Sequence, residues 1–359
     1  MIFLRTIGIL MGICLFGIQQ KIIPSTHFNG LSVEDSSAYF TNPVGAGADP
    51  WVIKDNGFYY TCRGASSQAN GGVIRVSKSA SLEQINNLKA VWKTPKNSWN
   101  SNCVWAPELH HFGKRWYIYY AAGKSGPPYI HQRSGVLESV TDDPQGEYID
   151  RGMLNTGTDL KDGSTIWAID LTVGYINNQL YAVWSGWDEN RKTDKTIQNL
   201  YIAKMSDPLT ISSERVKISA PTEIWEKGGP LNLNEAPQFL VHNKQIFIIY
   251  STRESWTPEY RLGQLKLKKG GDPLNPESWV KSGPVFQGNS GAIGVGHASF
   301  TTSPDGKQNW IFYHSKVDSL PGWKRNLRLQ QFYWDKKGNP QFGEPVSTKM
   351  KIKRPSGEN

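Results

Sequence analysis

The chain repeats one short pattern five times, and this repeat limits the folds that it can adopt. Each copy has an apolar run headed by a polar residue, then a tight turn, then a second run rich in aromatic residues. Two such runs joined by a turn are typical of a β-hairpin. The second runs carry equivalent residues at intervals of 58 to 66 positions: Tyr59, Tyr117, Tyr181, Phe247 and Ile311. A steady period of this length is typical of propeller blades, so the sequence predicts an all-β, five-bladed β-propeller.

The residues that head the first runs are expected to meet at the axis of this propeller. The first strand of each blade lines the central channel, and the residue at its start faces the mouth of that channel. Four acids and one histidine hold this place in the five repeats: Asp49, Glu108, Asp170, Glu235 and His297. Although they are scattered along most of the chain, the repeat predicts that they converge on one funnel.

Three of these acids have the character of catalytic groups. A carboxylate at the head of an apolar strand is costly to bury unless it has a partner or a role. Several carboxylates in one funnel perturb one another, so their pKa values separate. Glycoside hydrolysis needs one ionised carboxylate as base and one protonated carboxyl as acid. We therefore predict that Asp49, Asp170 and Glu235 are catalytic; the alternative is that they accept hydrogen bonds from backbone amides at strand ends.

A second group of residues is expected to contact a substrate. Glu108 either binds substrate or only orders the funnel, and His297 binds substrate, a metal-bound water or a carboxylate, or is structural. Arg253 either has a surface role or pairs with Glu235 or with a sugar hydroxyl. Tryptophan faces serve as sugar platforms or pack between blades, and the sequence leaves both open. The candidate substrate contacts are Trp105, Glu108, Trp167, Arg253 and His297.

Composition excludes some other functions. The net charge is +9, but no dense Lys/Arg stripe accompanies it, which argues against a nucleic-acid-binding protein. The spacing of Cys14, Cys62 and Cys103 fits no metal motif. Cys62 and Cys103 fall in the first and second repeats, where they are either free thiols or a pair.

The ends of the chain differ from the repeats. Residues 1–20 have one early positive charge and an apolar core too short for a membrane span, which predicts a signal peptide or a retained N-terminal anchor and a secreted or periplasmic protein. Residues 21–40 are predicted to be a linker, 41–348 the catalytic propeller and 349–359 a basic polar tail. The late strand Leu327–Trp334 either completes a blade or pairs with the N-terminal strand.

Five stretches together resemble glycoside hydrolase family 43, whose members are five-bladed propellers acting on arabinose- and xylose-containing polysaccharides. The resemblance extends from about residue 41 to about residue 345. The matching stretches are Ala48-Asp49-Pro50, Trp105-Ala106-Pro107-Glu108, Ala168-Ile169-Asp170, Asn234-Glu235-Ala236-Pro237-Gln238 and Gly296-His297-Ala298-Ser299-Phe300-Thr301.

The resemblance implies a role for each central residue. Asp49 corresponds to the general base that activates water, and Glu235 to the general acid that protonates the leaving oxygen. Asp170 corresponds to the carboxylate that orients the acid and raises its pKa. His297 corresponds to a histidine beside a hydrated metal ion, commonly calcium, in the channel; no other cofactor is implied. The sequence departs from the family at Ala298, where asparagine is frequent. The implied reaction inverts the anomeric centre.

A less specific resemblance concerns the substrate. The stretches Tyr250–Thr252, Tyr260–Gly263 and Ser278–Lys281 resemble the exo-acting α-L-arabinofuranosidases of the family. Alternatives of the same family are a β-xylosidase, an endo-arabinanase and a galactan-directed exo-enzyme. A non-catalytic sugar-binding propeller is the alternative of a different class, although such copies usually lose the base or the acid.

Overall fold

Nearly all of the regular structure is β-strand. The computed structural model describes residues 36–67, 69–158 and 165–358. Within these ranges the helical elements are three short 3-10 helices: Ser36–Ala38, Ile224–Glu226 and Pro276–Ser278. No helix in the described part of the chain has the length and apolar character needed to cross a bilayer. The predicted leader, and all of the predicted linker before residue 36, lie outside the described residues.

The described strands form five antiparallel blade sheets and one two-stranded sheet, in which β1 (Tyr39–Thr41) pairs with the last strand; the short strand β2 (Gly45–Ala46) belongs to the fifth blade. The first sheet contains β3 (Trp51–Asp55), β4 (Phe58–Ser67), β5 (Gly71–Ser79) and β6 (Leu88–Lys93). The second contains β7 (Asn102–Phe112), β8 (Arg115–Gly123), β9 (Arg133–Ser139) and β10 (Tyr148–Met153). The third contains β11 (Ala168–Ile176), β12 (Gln179–Gly186), β13 (Asn199–Asp207), β14 (Thr210–Ile211) and β15 (Val216–Ser219).

The last two sheets follow the same plan. The fourth contains β16 (Asn234–His242), β17 (Gln245–Thr252), β18 (Arg261–Leu267) and β19 (Trp279–Gln287). The fifth contains β20 (Gly296–Thr302), β21 (Asn309–Lys316), β22 (Arg325–Trp334) and β23 (Pro340–Gln341). The chain ends with β24 (Lys351–Lys353). The residues that marked the repeat all lie on the second strand of their sheet and are all buried.

The first strands of the five sheets close into a ring. Strand β3 contacts β7, β7 contacts β11, β11 contacts β16, β16 contacts β20, and β20 returns to β3. The described chain is therefore a five-bladed β-propeller with its first strands around a central channel, as the repeat predicted.

Apolar side chains fill each interface between neighbouring blades. Both faces of an inner strand pair are covered by the adjacent blades, which explains why the second runs are almost continuously apolar. One buried cluster lies at each of the five interfaces. Each cluster takes fully or almost fully buried side chains from both neighbouring blades; going round the ring from the interface of blades one and two, examples are Ile74 and Ile118, Tyr119 and Trp184, Val183 and Ile248, Phe247 and Ile311, and Phe312 and Tyr59.

The two ends of the described chain meet. Strand β2 pairs with β22, so the last blade is both completed and joined to the N-terminal segment. Strand β1 pairs with β24, with Phe40 opposite Ile352. Residues 351–353 were expected in a polar tail, but they form a strand because β1 offers an open edge to pair with. Cys62 and Cys103 are both buried and free.

Candidate functional site

A left-handed residue stands at the start of the first strand of every blade. Its φ angle lies between 39° and 53° in Asp49, Ala106, Asp170, Ala236 and His297. In blades two to five the pairing register with the second strand shifts at this point, which marks a β-bulge. A bulge bends its strand and re-aims a side chain, and non-glycine residues with positive φ often occur at functional sites.

The bulges show that two of the five central residues were assigned to the wrong position in the repeat. The left-handed residue of the second blade is Ala106, and that of the fourth is Ala236. Glu108 therefore lies two residues deeper along its strand, and Glu235 lies one residue before the bulge. We expected both acids at the place occupied by Asp49 and Asp170. The difference arises because a bulge adds one unpaired residue, which the apolar pattern does not reveal.

Asp49 is surrounded by positive and neutral nitrogen groups. Its Oδ1 lies 3.3 Å from Nδ1 of His297 and 3.4 Å from Nη1 of Arg325. Its backbone N–H donates to Nδ1 of His314 over 3.1 Å. Burial by itself would raise the pKa of Asp49, but Arg325 and His297 hold that pKa well below its usual range. The side chain is 26% exposed, so an ionised carboxylate faces the mouth of the channel.

Asp170 and Glu235 lie beside this carboxylate and are both buried. Burial and the charges of Glu235 and Asp49 raise the pKa of Asp170 to about 8, against the opposing charge of His297. Burial and the charge of Asp49 raise the pKa of Glu235 to about 7, although the hydrogen bond from Tyr260 lowers it. Oδ2 of Asp170 accepts the N–H of Ala236 over 3.0 Å, so Asp170 also holds the backbone next to Glu235.

Three residues that contact these acids were not predicted from the sequence as site residues: Tyr260, His314 and Arg325. The hydroxyl of Tyr260 donates to Oε1 of Glu235 over 2.9 Å. The Tyr260 ring stacks on His314 with centroids 5.3 Å apart, and a Cβ on Gly296 would collide with it. His314 is fully buried, and burial lowers its pKa to about 3, so the neutral ring accepts the Asp49 N–H. The one sequence signal for His314 is that it is a polar residue directly after an apolar run, Trp310–Tyr313; Arg325 has no such signal.

Glu108 belongs to a deeper layer of the channel. It is 1% exposed, accepts a hydrogen bond from Gln238, and lies 3.2 Å from Nε2 of His110. Burial raises the pKa of Glu108 well above its usual range and lowers that of His110 to about 3. The predicted contact of Glu108 with substrate is not supported by this position, because neighbouring residues enclose the Glu108 side chain. A cavity of about 390 Å³ is lined by His110, Gln238 and further residues of the inner strands.

The other predicted contacts differ in exposure. Trp105 is half-buried, with its ring 5.0 Å from that of Tyr129. Trp167 is 3% exposed and stacks on Trp187, so it packs within the wall and has no free face for a sugar. Arg253 has a φ of 66° and is half-buried. No ion pair between Arg253 and Glu235 is found in the described chain, where Tyr260 takes that place.

Metal ligands are sparse at this mouth. No group of three or more His, Cys, Asp or Glu side chains in the described ranges is arranged to hold a metal ion directly. Nδ1 of His297 already faces Asp49. The residues present therefore fit an ion that keeps its water shell better than one coordinated by the protein.

Known proteins resemble this chain along most of its length. The profile described as "Glycosyl hydrolases family 43" matches residues 40–340. The "Extracellular exo-alpha-(1->5)-L-arabinofuranosidase" of Streptomyces avermitilis is 32% identical, over 87% of this chain and 64% of its own length. "Alpha-L-arabinofuranosidase 43" of Humicola insolens is 33% identical, over 83% of this chain and 62% of its own length. The chain thus spans less than two thirds of these curated relatives.

Two solved structures match over nearly their whole length. The alpha-L-arabinofuranosidase from Lactobacillus brevis superposes with a TM-score of 0.76 at 30% identity, covering 87% of this chain and 98% of that structure. A thermostable family-43 glycoside hydrolase superposes with a TM-score of 0.68 at 24% identity, covering 86% and 97%, and shares the fold.

Proposed function

The chain belongs to glycosyl hydrolase family 43, and we propose that it is an inverting, exo-acting α-L-arabinofuranosidase. Its substrates are polysaccharides or oligosaccharides that carry terminal arabinose. The observation that carries this proposal is the division of charge at the channel mouth. Arg325 and His297 favour an ionised Asp49, while burial favours a protonated Glu235. An inverting glycosidase needs this combination of an ionised base and a protonated acid.

The residues act in one displacement. Asp49 takes a proton from a water molecule as the water oxygen forms a bond to the anomeric carbon of arabinose. Glu235 gives its proton to the glycosidic oxygen as the bond between that oxygen and the anomeric carbon breaks. The products are free arabinose of inverted configuration and the shortened chain, with Asp49 protonated and Glu235 ionised until solvent exchange restores both.

Neighbouring side chains position the carboxyl groups of Asp49 and Glu235. Asp170 holds the N–H of Ala236 and so orients Glu235. Tyr260 positions the Glu235 carboxyl, and its hydrogen bond favours the ionised form that develops as the proton leaves. Nδ1 of His314 accepts the backbone N–H of Asp49 and so holds the Asp49 backbone in place.

We propose that the enzyme acts outside the cell, on plant cell-wall material. The apolar stretch in residues 1–20 supports export. The Streptomyces avermitilis relative is named extracellular. We also propose that turnover needs no bound cofactor, and that a hydrated calcium ion beside His297 has a structural role. Dialysis against a chelator is then expected to lower the thermal unfolding midpoint and to leave turnover unchanged.

Release of p-nitrophenol from two substrates tests the proposed function. The wild type is expected to hydrolyse p-nitrophenyl α-L-arabinofuranoside and to be far slower on p-nitrophenyl β-D-xylopyranoside. The variants Asp49→Asn and Glu235→Gln control for contaminating activity. Faster release from the xyloside would contradict the arabinose assignment. If the folded protein releases no p-nitrophenol from either substrate but cleaves arabinan internally, the exo assignment is contradicted.

A further inference from the structure

An exposed apolar patch lies on the loop between β21 and β22. Three large side chains of this loop are exposed: Val317 to 50%, Leu320 to 70% and Trp323 to 62%. The Trp323 ring lies 5.1 Å from that of Trp256, at an angle of 52°. A clustered apolar patch on a protein surface often marks a binding site.

The patch adjoins the catalytic carboxylates. The guanidinium of Arg325 lies 5.5 Å from the centre of the Trp323 ring, and Nη1 of the same side chain lies 3.4 Å from Oδ1 of Asp49. Trp256 follows the end of β17, where Thr252 pairs with Asn234 next to the proposed acid. The aromatic pair therefore lies near Asp49, with the Arg325 side chain between them, and its second ring follows a strand end that pairs next to Glu235.

Hydrogen bonds hold the pair in place. The N–H of Gly322 donates to the carbonyl of Trp256 over 2.9 Å, which joins the two loops. The N–H of Val317 donates to the carbonyl of Lys324 over 3.1 Å, which closes the loop on itself. A surface ordered before binding loses little conformational entropy when a ligand arrives.

We propose that Trp256 and Trp323 form a subsite for the sugar that is linked to the terminal arabinose, on the leaving-group side. This inference rests on the proposed function, because in an exo-acting enzyme the pocket holds only the terminal sugar and the rest of the chain is the leaving group. An exposed indole face offers the C–H face of a sugar ring an apolar contact.

Two substrates separate this subsite from the pocket. Methyl α-L-arabinofuranoside has no second sugar, whereas α-1,5-linked arabinotriose has one at the proposed subsite. Trp323→Ala is expected to lower kcat/KM on arabinotriose about tenfold, mainly through KM, because the stacking contact is lost. Activity on the methyl glycoside is expected to stay within about twofold of the wild type. Trp323→Phe is expected to recover most of the loss.

A matched control removes an exposed aromatic ring elsewhere. Tyr333 is 60% exposed and lies at the far end of β22 from Arg325. Tyr333→Ala is expected to match the wild type on both substrates. Equal losses of Trp323→Ala on both substrates, or no loss on arabinotriose, would contradict the subsite alone. Failure of the folded wild type to release arabinose from either substrate would contradict the proposed function and the subsite together.

Discussion

Two layers of the central channel each place a buried or half-buried carboxylate beside a histidine, yet their charge states differ. At the mouth, Oδ1 of Asp49 lies 3.3 Å from Nδ1 of His297. Deeper in the channel, Oε2 of Glu108 lies 3.2 Å from Nε2 of His110. The pKa of Asp49 is held well below its usual range, whereas burial raises that of Glu108 well above it.

The difference comes from what else surrounds each carboxylate. Asp49 has the guanidinium of Arg325 and a side chain that is 26% exposed. Glu108 has the neutral amide of Gln238 and is 1% exposed. A carboxylate next to a histidine is thus insufficient to mark a catalytic base. A permanent cation and access to the mouth distinguish the mouth layer, and four predictions test this distinction.

The largest effect is expected for the mouth carboxyl groups. Glu235→Gln keeps the size of the side chain but has no proton to donate, and Asp49→Asn is unable to accept one from water. Each is expected to lower kcat on an arabinoside with a poor leaving group about 10³-fold or more. Steady-state kinetics measures this, with circular dichroism as the folding control. A loss below about tenfold in either variant would exclude that residue from the chemistry.

Removing the positive charge of Arg325 should make the protonation of Asp49 more similar to that of Glu108. Arg325→Met deletes the positive charge that lowers the pKa of Asp49. The base must be ionised, so the acidic limb of the kcat/KM profile is expected to move to higher pH, by about one to three units. Arg325 also lowers the pKa of Glu235, so the alkaline limb should rise as well, by less. An unchanged acidic limb would show that Arg325 does not set the charge of Asp49.

The deeper layer is expected to affect stability more than turnover. Glu108→Gln preserves the shape of a protonated carboxyl group, so it should retain turnover and thermal midpoint. Glu108→Ala leaves Gln238 and His110 without their partner, and is expected to cost about 2 kcal/mol in the free energy of unfolding. Urea unfolding of the two variants gives the comparison. A loss of kcat in Glu108→Gln as large as in Glu235→Gln would remove the distinction between the layers.

A modest shift in the pH profile is expected when the hydroxyl of Tyr260 is removed. The Tyr260 hydroxyl stabilises the ionised form of Glu235, so Tyr260→Phe should raise the pKa of Glu235. The acid must be protonated, and the activity that the wild type loses as pH rises through about 7 should then persist to a higher pH, by about one unit. The pH dependence of kcat/KM measures the shift. Movement of this limb to lower pH would contradict the assigned role.

The repeat was sufficient to predict the propeller and its number of blades. Hydrophobic runs and turns act locally, and their period is visible in the sequence; the five buried marks, from Tyr59 to Ile311, follow from it. Strand β24 was not predicted, because Lys351–Lys353 gains its structure only by pairing with β1.

The partners of the candidate site were less predictable than its acids. The structure gathers Asp49, Asp170, Glu235 and His297 at one mouth. Arg325 and His314 reach Asp49 across more than 260 positions of the chain, and no local pattern encodes such a contact. The offset of Glu235 depends on a bulge, which alternation in the sequence does not reveal.

A difference titration of the free protein tests the division of charge most directly. Protons released between pH 5 and pH 9 are measured for the wild type, Glu235→Gln and Asp49→Asn, over the range in which a raised carboxyl titrates. In the wild type two carboxyl groups are expected to titrate in this range, Glu235 with a midpoint of about 7 and Asp170 with one of about 8. Glu235→Gln is expected to release one proton fewer than the wild type over this range, because Asp170 remains and Glu235 does not. In Asp49→Asn both groups should remain, with lower midpoints, because the negative charge of Asp49 is gone. A group that disappears in Asp49→Asn and persists in Glu235→Gln would contradict the proposed roles of base and acid.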